Sequence, residues 1–116
     1  MSKRPQVILA ATFDIVAIVI FVVIGRRSHH EGHALRGALR VAAPFLIGLA
    51  AGWLLARAWK SPTRMSTGLL IWPVTVGAGL LLRRFVFDNG AALPFIIVAT
   101  IFTGLLLVGW RALYPQ

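Results

Sequence analysis

Four stretches of this chain, residues 7–25, 41–59, 67–87 and 91–113, are apolar on every face and almost free of charge. A helix needs about 20 such residues to cross a hydrocarbon core of about 30 Å. A surface helix of a soluble domain would instead keep one polar face. Composition agrees: 59% of the residues are hydrophobic and 13% charged, where soluble domains are close to half apolar and a quarter charged. At 116 residues a water-soluble fold has too little interior to hide this much apolar surface. Soluble globular, disordered and collagen-like chains are excluded. What remains is an all-α polytopic integral membrane protein, one domain over residues 1–116.

The connections set the topology. Residues 60–66 (Lys-Ser-Pro-Thr-Arg-Met-Ser) and 88–90 (Asp-Asn-Gly) are tight turns with Pro62 and Gly90 as breakers. The connection over 26–40 is longer. Tight turns force neighbouring helices antiparallel, which predicts an up-down-up-down four-helix bundle. The first apolar run is too long for a cleavable signal peptide, and Gly25-Arg26-Arg27 makes a poor cleavage site. The halves also resemble each other. Helix 2 opens Ala42-Ala43-Pro44-Phe45-Leu46-Ile47 and helix 4 opens Ala92-Leu93-Pro94-Phe95-Ile96-Ile97, while helices 1 and 3 both end in an Arg pair. This reads either as a duplicated helical hairpin or as generic membrane-helix grammar used twice, with Pro in the first turn and Trp plus Arg at the exit.

Ten Arg and two Lys against Asp14, Glu31 and Asp88 give a formal charge of +9. In a soluble domain this excess would suggest nucleic acid. Here the cations cluster at the ends of apolar runs, where they meet lipid headgroups and set orientation, so membrane lipids and not nucleic acid are the expected partners. Lys3, Arg4, Arg57, Lys60, Arg64 and Arg111 fall on one side, and Arg26, Arg27, Arg36, Arg40, Arg83 and Arg84 on the other. The tie leaves orientation weakly specified, with a lean to cytoplasmic termini. The excess of Arg over Lys is associated with high-GC bacterial genomes, which makes a bacterial cytoplasmic membrane the expected location. Cysteine is absent, which removes disulfides, thiolate nucleophiles and cysteine-ligated clusters or zinc.

The string Asp14 … Gly25-Arg26-Arg27-Ser28-His29, then Arg40-Val41-Ala42-Ala43-Pro44-Phe45, Gly52-Trp53, Arg57-Ala58-Trp59, Leu70-Ile71-Trp72 and Gly109-Trp110-Arg111-Ala112, resembles a bacterial membrane family catalogued as domain of unknown function 3054. The resemblance spans essentially the whole chain. It implies a small four-helix membrane protein of unassigned activity and carries over no catalytic or binding residues.

Asp14 is the one acidic residue deep in an apolar run. A charge there costs at least about 2.5–3.5 kcal/mol on insertion scales, so it is expected to face the bundle interior with a partner. Arg57, near the end of the antiparallel helix 2, is the expected partner, because its long side chain can bridge a difference in depth. Thr12, Thr100 and Thr103 are further candidate donors. One reading makes Asp14 a proton or cation relay. The other makes it a clamp holding helix 1 to helix 2. Small multidrug transporters share four short helices and a lone carboxylate in the first, a parallel of architecture alone.

The remaining motifs point to packing. Gly48, Gly52 and Ala56 form a small-residue stripe on helix 2, which lets backbones approach closely within the bundle or between subunits. Pro73, with Gly77 and Gly79 after it, is expected to kink helix 3 as a static bend or a hinge. Trp53 is deep enough to need a partner for its N–H. His29, His30, Glu31 and His33 lack the zinc-protease spacing. They read as a polar interfacial loop, with an incomplete metal pair at His29 and His33 as the alternative. Neither a carboxylate pair nor a phosphate-cradling loop nor a Ser–His–acid set is present, so no enzyme activity, cofactor or metal is expected. Two functions stand: a structural or accessory subunit acting through helix packing in a homo-oligomer or with other membrane subunits, or a small proton-coupled carrier or channel centred on Asp14, in which dual topology and a small solute are the corollaries.

The charge tie generates a measurement. Topology reporters at the C-terminus are expected to read mixed orientations, and adding two Lys after Pro115 or removing Arg26 and Arg27 should shift the population toward termini inside. A one-sided reading indifferent to both changes would show that charge does not set the orientation.

Overall fold

The computed structural model of the protein describes residues 4–27, 34–85 and 93–115. They form four helices: α1 (Arg4–Arg27), α2 (Ala34–Ala56), α3 (Met65–Phe85) and α4 (Leu93–Leu113). No strand occurs among the described residues. Each helix packs on its neighbours in the chain, and α4 also closes onto α1, so the four make a ring: α1 touches α2 and α4, and α3 touches α2 and α4. The chain is the expected four-helix bundle. Three of its helical stretches, Arg4–Ile24, Met65–Phe85 and Ile96–Leu113, are long and apolar enough to cross a membrane, and α2 has a shorter apolar part, Ala42–Ala56.

Helix 2 differs from the sequence expectation at both ends. It begins at Ala34, not near Val41, because Arg36 and Arg40 interrupt the apolar run without interrupting the backbone helix. The connection expected over 26–40 is therefore shorter, and His29, His30, Glu31 and His33 lie outside the described residues. At its other end α2 stops at Ala56, three residues before Trp59. There the Ala58 N–H donates to the Trp53 carbonyl at 3.0 Å and the Arg57 N–H to that of Leu54 at 3.3 Å, the paired bonds of a Schellman cap. Arg57 takes the left-handed conformation the cap requires, with φ of 51°, where glycine is the usual occupant and an L side chain costs about 1–2 kcal/mol. Ala58, just after it, is buried, which pins the cap to the bundle.

The prolines of the two matching strings fall at different points of their helices. Pro44 lies well inside α2, whereas Pro94 sits in the first turn of α4, where a missing N–H leaves no helical bond unmade. Pro73 lies inside α3. Its ring is exposed on the outside of the helix, and the helical backbone runs through it without a break.

The core is built from Ile18, Phe21, Phe45, Leu49, Ile71 and Leu107. The Phe21 ring meets Phe45 edge-on at 5.4 Å and tilts against Phe102 at 6.4 Å, which ties α1 to α2 and α4. The outside is apolar as well. Ile15, Val16, Val19, Ile20, Val23 and Ile24 of α1 and Ile97, Val98, Ile101 and Leu105 of α4 are all exposed. A continuous apolar exterior of this extent is unstable in water and matches hydrocarbon.

Close approach between α2 and α3 depends on glycines. A Cβ on Gly48 would lie 2.7 Å from the Thr75 carbonyl oxygen and 3.0 Å from the Gly79 nitrogen, and one on Gly52 would lie 3.2 Å from the Ile71 carbonyl oxygen. With Ala56 packed against the same core, the small-residue stripe works within the chain. Gly79 in turn faces the Phe45 ring, which leaves no room for a Cβ. Gly48→Ala should therefore cost about 1–3 kcal/mol, because backbone on the opposing helix cannot step aside. Gly77, with open space around it, is the control: Gly77→Ala should be neutral or stabilising by up to about 1 kcal/mol. Unfolding of the purified protein in detergent reads both, and equal effects would reject the close-packing account.

Candidate functional site

Toward the end of the bundle that holds the α2–α3 turn, Asp14 points into the ring and is fully enclosed. Its position on α1 puts it level with the last turn of α4, and the partner it meets is Arg111, also fully enclosed. Arg111 Nη1 donates to Oδ1 at 2.8 Å and Nη2 to Oδ2 at 2.7 Å. This is the two-pronged geometry that a planar guanidinium offers a carboxylate. Two indoles complete the shell: Trp53 Nε1 of α2 donates to Oδ2 at 2.8 Å and Trp110 Nε1 of α4 to Oδ1 at 2.8 Å. A carboxylate has about four acceptor positions, and here four donors fill them.

The guanidinium is bound just as widely. Arg111 Nε donates to the Pro62 carbonyl at 2.9 Å and Nη1 to the Leu107 carbonyl at 2.9 Å. Leu107 is one turn back on the same helix. Pro62 belongs to the α2–α3 turn and is itself enclosed. The Arg111 Cζ also lies 4.4 Å from the centroid of the Trp110 ring, within cation–π range. Phe13 tilts against that ring at 5.0 Å and Tyr114 meets it edge-on at 6.2 Å. Space for the arginine stem comes from α3: a Cβ on Gly68 would fall 2.7 Å from Arg111 Cδ. All four helices and one turn thus contribute to a single polar knot.

The expected pairing of Asp14 with Arg57 is corrected. Arg57 lies beyond the last turn of α2, held in the cap, and its side chain is exposed. Trp53, one turn earlier, is the α2 residue that reaches Asp14. The two threonines do not join the site either. Thr100 and Thr103 donate to the carbonyls of Ile96 and Ala99, one turn back on their own helix, and Thr103 lies eight residues before Arg111, about 12 Å along the axis. Thr12 likewise donates to the Ile8 carbonyl. Thr100 serves instead through its backbone: its carbonyl accepts from Trp72 Nε1 at 2.8 Å, a third indole bond between helices, made beside Gly104, where a Cβ would collide with the Trp72 ring.

Sequence reasoning missed Arg111 by counting it among the orientation charges. The available signal was topological: in a closed ring α4 borders α1 as α2 does, so the exit arginines of both helices were candidates. Among the described residues no group of three His, Cys, Asp or Glu is placed to hold a metal.

The arrangement is chemically closed. For Asp14 to accept a proton or a foreign cation it must first lose a donor, and the donors are anchored on two helices, Trp53 on α2 and Trp110 with Arg111 on α4. Removing either partner should therefore leave an uncompensated buried charge, which costs about 3–5 kcal/mol. Asp14→Ala and Arg111→Ala should each cost that much, the double variant should cost less than their sum, and Arg57→Ala should fall within about 0.5 kcal/mol of the unmodified protein. Unfolding in detergent decides it, and strictly additive losses at Asp14 and Arg111 would reject the coupling.

A family model described as Protein of unknown function (DUF3054) matches residues 11–114, nearly the whole chain and every residue of the knot. No curated protein and no solved structure matches.

Proposed function

The chain belongs to the DUF3054 family, and we propose that it is a non-enzymatic structural or accessory subunit of a bacterial cytoplasmic membrane, working through helix packing in a homo-oligomer or with other membrane subunits. One observation carries this reading: the Asp14 carboxylate accepts four hydrogen bonds and is fully enclosed. A relay carboxylate needs a vacant acceptor position and a path to water or solute. This one has neither a vacancy nor exposure. A saturated pair instead fixes which helices meet and in what register, the best-attested role of buried polar contacts. The apolar faces of α1 and α4 then present a rigid surface to lipid and to neighbouring helices.

The competing reading is a small carrier or channel centred on Asp14, and Asp14→Asn separates the two. The amide keeps the shape but lacks the charge that Arg111 requires. A structural subunit should lose folded protein and its native-gel assembly. A carrier should retain both and lose proton-coupled flux in proteoliposomes. Unchanged abundance and assembly together with abolished flux would overturn the proposal.

A further inference from the structure

The chain has three acidic side chains, Asp14, Glu31 and Asp88. Glu31 falls in the sequence between α1 and α2, and Asp88 between α3 and α4. Asp14 is the one acid among the described residues, and Arg111 with the two indoles consumes it. Yet this same end carries Arg4 at the start of α1 and Arg57, Lys60 and Arg64 around the turn, all exposed. The guanidinium groups of Arg57 and Arg64 make no hydrogen bond or ion pair with a described residue. Their counter-charge has to come from outside the described fold.

The turn holds these cations in fixed places. Pro62 is tied to Arg111, Thr67 Oγ1 donates to the Ser61 carbonyl at 2.7 Å, and the buried Ala58 anchors the cap that sets Arg57. An arginine occupies the left-handed cap position at a conformational cost that glycine would avoid. Within three residues on either side lie exposed apolar side chains: Leu54 and Leu55 are 68% and 69% exposed, and Trp59 is 44% exposed. Cations bordering bare apolar surface, with an indole between, are the complement of a lipid: phosphate above, acyl chain below.

We propose that the α2–α3 turn binds the phosphate of an anionic phospholipid through Arg57 and Arg64. Lys60 adds charge, Trp59 sits at headgroup level, and Leu54 and Leu55 lie along the acyl chain. A free anion would satisfy the cations but leave the leucines and the indole uncovered, which is why the ligand is a lipid. The site is independent of the structural role proposed above.

The test uses the full chain in nanodiscs of phosphatidylcholine, alone or mixed with phosphatidylglycerol. Phosphatidylglycerol should raise the unfolding temperature and be enriched among lipids that stay bound on transfer to detergent. Arg57→Gly should have opposite effects on the two readings: a higher unfolding temperature in phosphatidylcholine, because glycine fits the cap, and a smaller increment from phosphatidylglycerol. Adding Arg64→Gln should abolish the increment. The proposal is overturned if phosphatidylglycerol gives no increment, if the Arg57→Gly, Arg64→Gln variant keeps it whole, or if inorganic phosphate added to phosphatidylcholine discs reproduces it.

Discussion

A carboxylate surrounded by apolar helices tolerates very few geometries, and Asp14 has found one that recruits the rest of the molecule. Its oxygens meet a guanidinium and two indoles, and the guanidinium in turn meets the turn between α2 and α3. The pair need not add much net stability, since well-packed apolar residues often serve as well. Its effect is to exclude alternatives. Helices in lipid have no hydrophobic force telling them which neighbour to choose. A sliding or rotating helix here strands a charge, and that penalty selects one arrangement of four otherwise similar apolar rods.

Away from this end the forces change character. Toward the middle of the bundle, Gly48 and Gly52 let α2 settle against the backbone of α3, Gly79 admits the Phe45 ring, and Gly104 admits the Trp72 ring. These contacts are dispersion-dominated and depend on shape. The Trp72 bond to the Thr100 carbonyl is an exception, and it uses the same device as the knot: an indole bridging to a neighbouring helix. Three of the four tryptophans thus donate inward to another helix or to the ion pair, with Trp59 left at the surface.

The fold was legible in the sequence because hydropathy registers directly whether a residue tolerates lipid, and four apolar helices in a bundle follow from run lengths and tight turns. The start of α2 was not, since Arg36 and Arg40 end an apolar run but not a helix. That Asp14 turns inward was legible from the cost of a charge in lipid. Its partner was not. Arg57 and Arg111 lie at the same end on the two helices that flank α1, and the choice between them rests on a cap that carries Arg57 outward and on Gly68 clearing space for the stem of Arg111. Neither is encoded in the spacing of charges. Thr100 and Thr103 looked like donors in search of an acceptor, yet each had a backbone carbonyl one turn away, which is where hydroxyls in apolar helices commonly bond.

The ion pair joins the first helix to the last, 97 residues apart. A chain made from its N-terminus therefore produces the anion long before the cation. The first indole, 39 residues downstream, is the earliest donor to emerge, and the guanidinium follows only with α4, 97 residues after the carboxylate. Until then the nascent chain holds an incomplete site that no local rearrangement of α1 can finish. Completion of the bundle is thus tied to the synthesis of α4, and a chain interrupted before it lacks the guanidinium that meets Asp14.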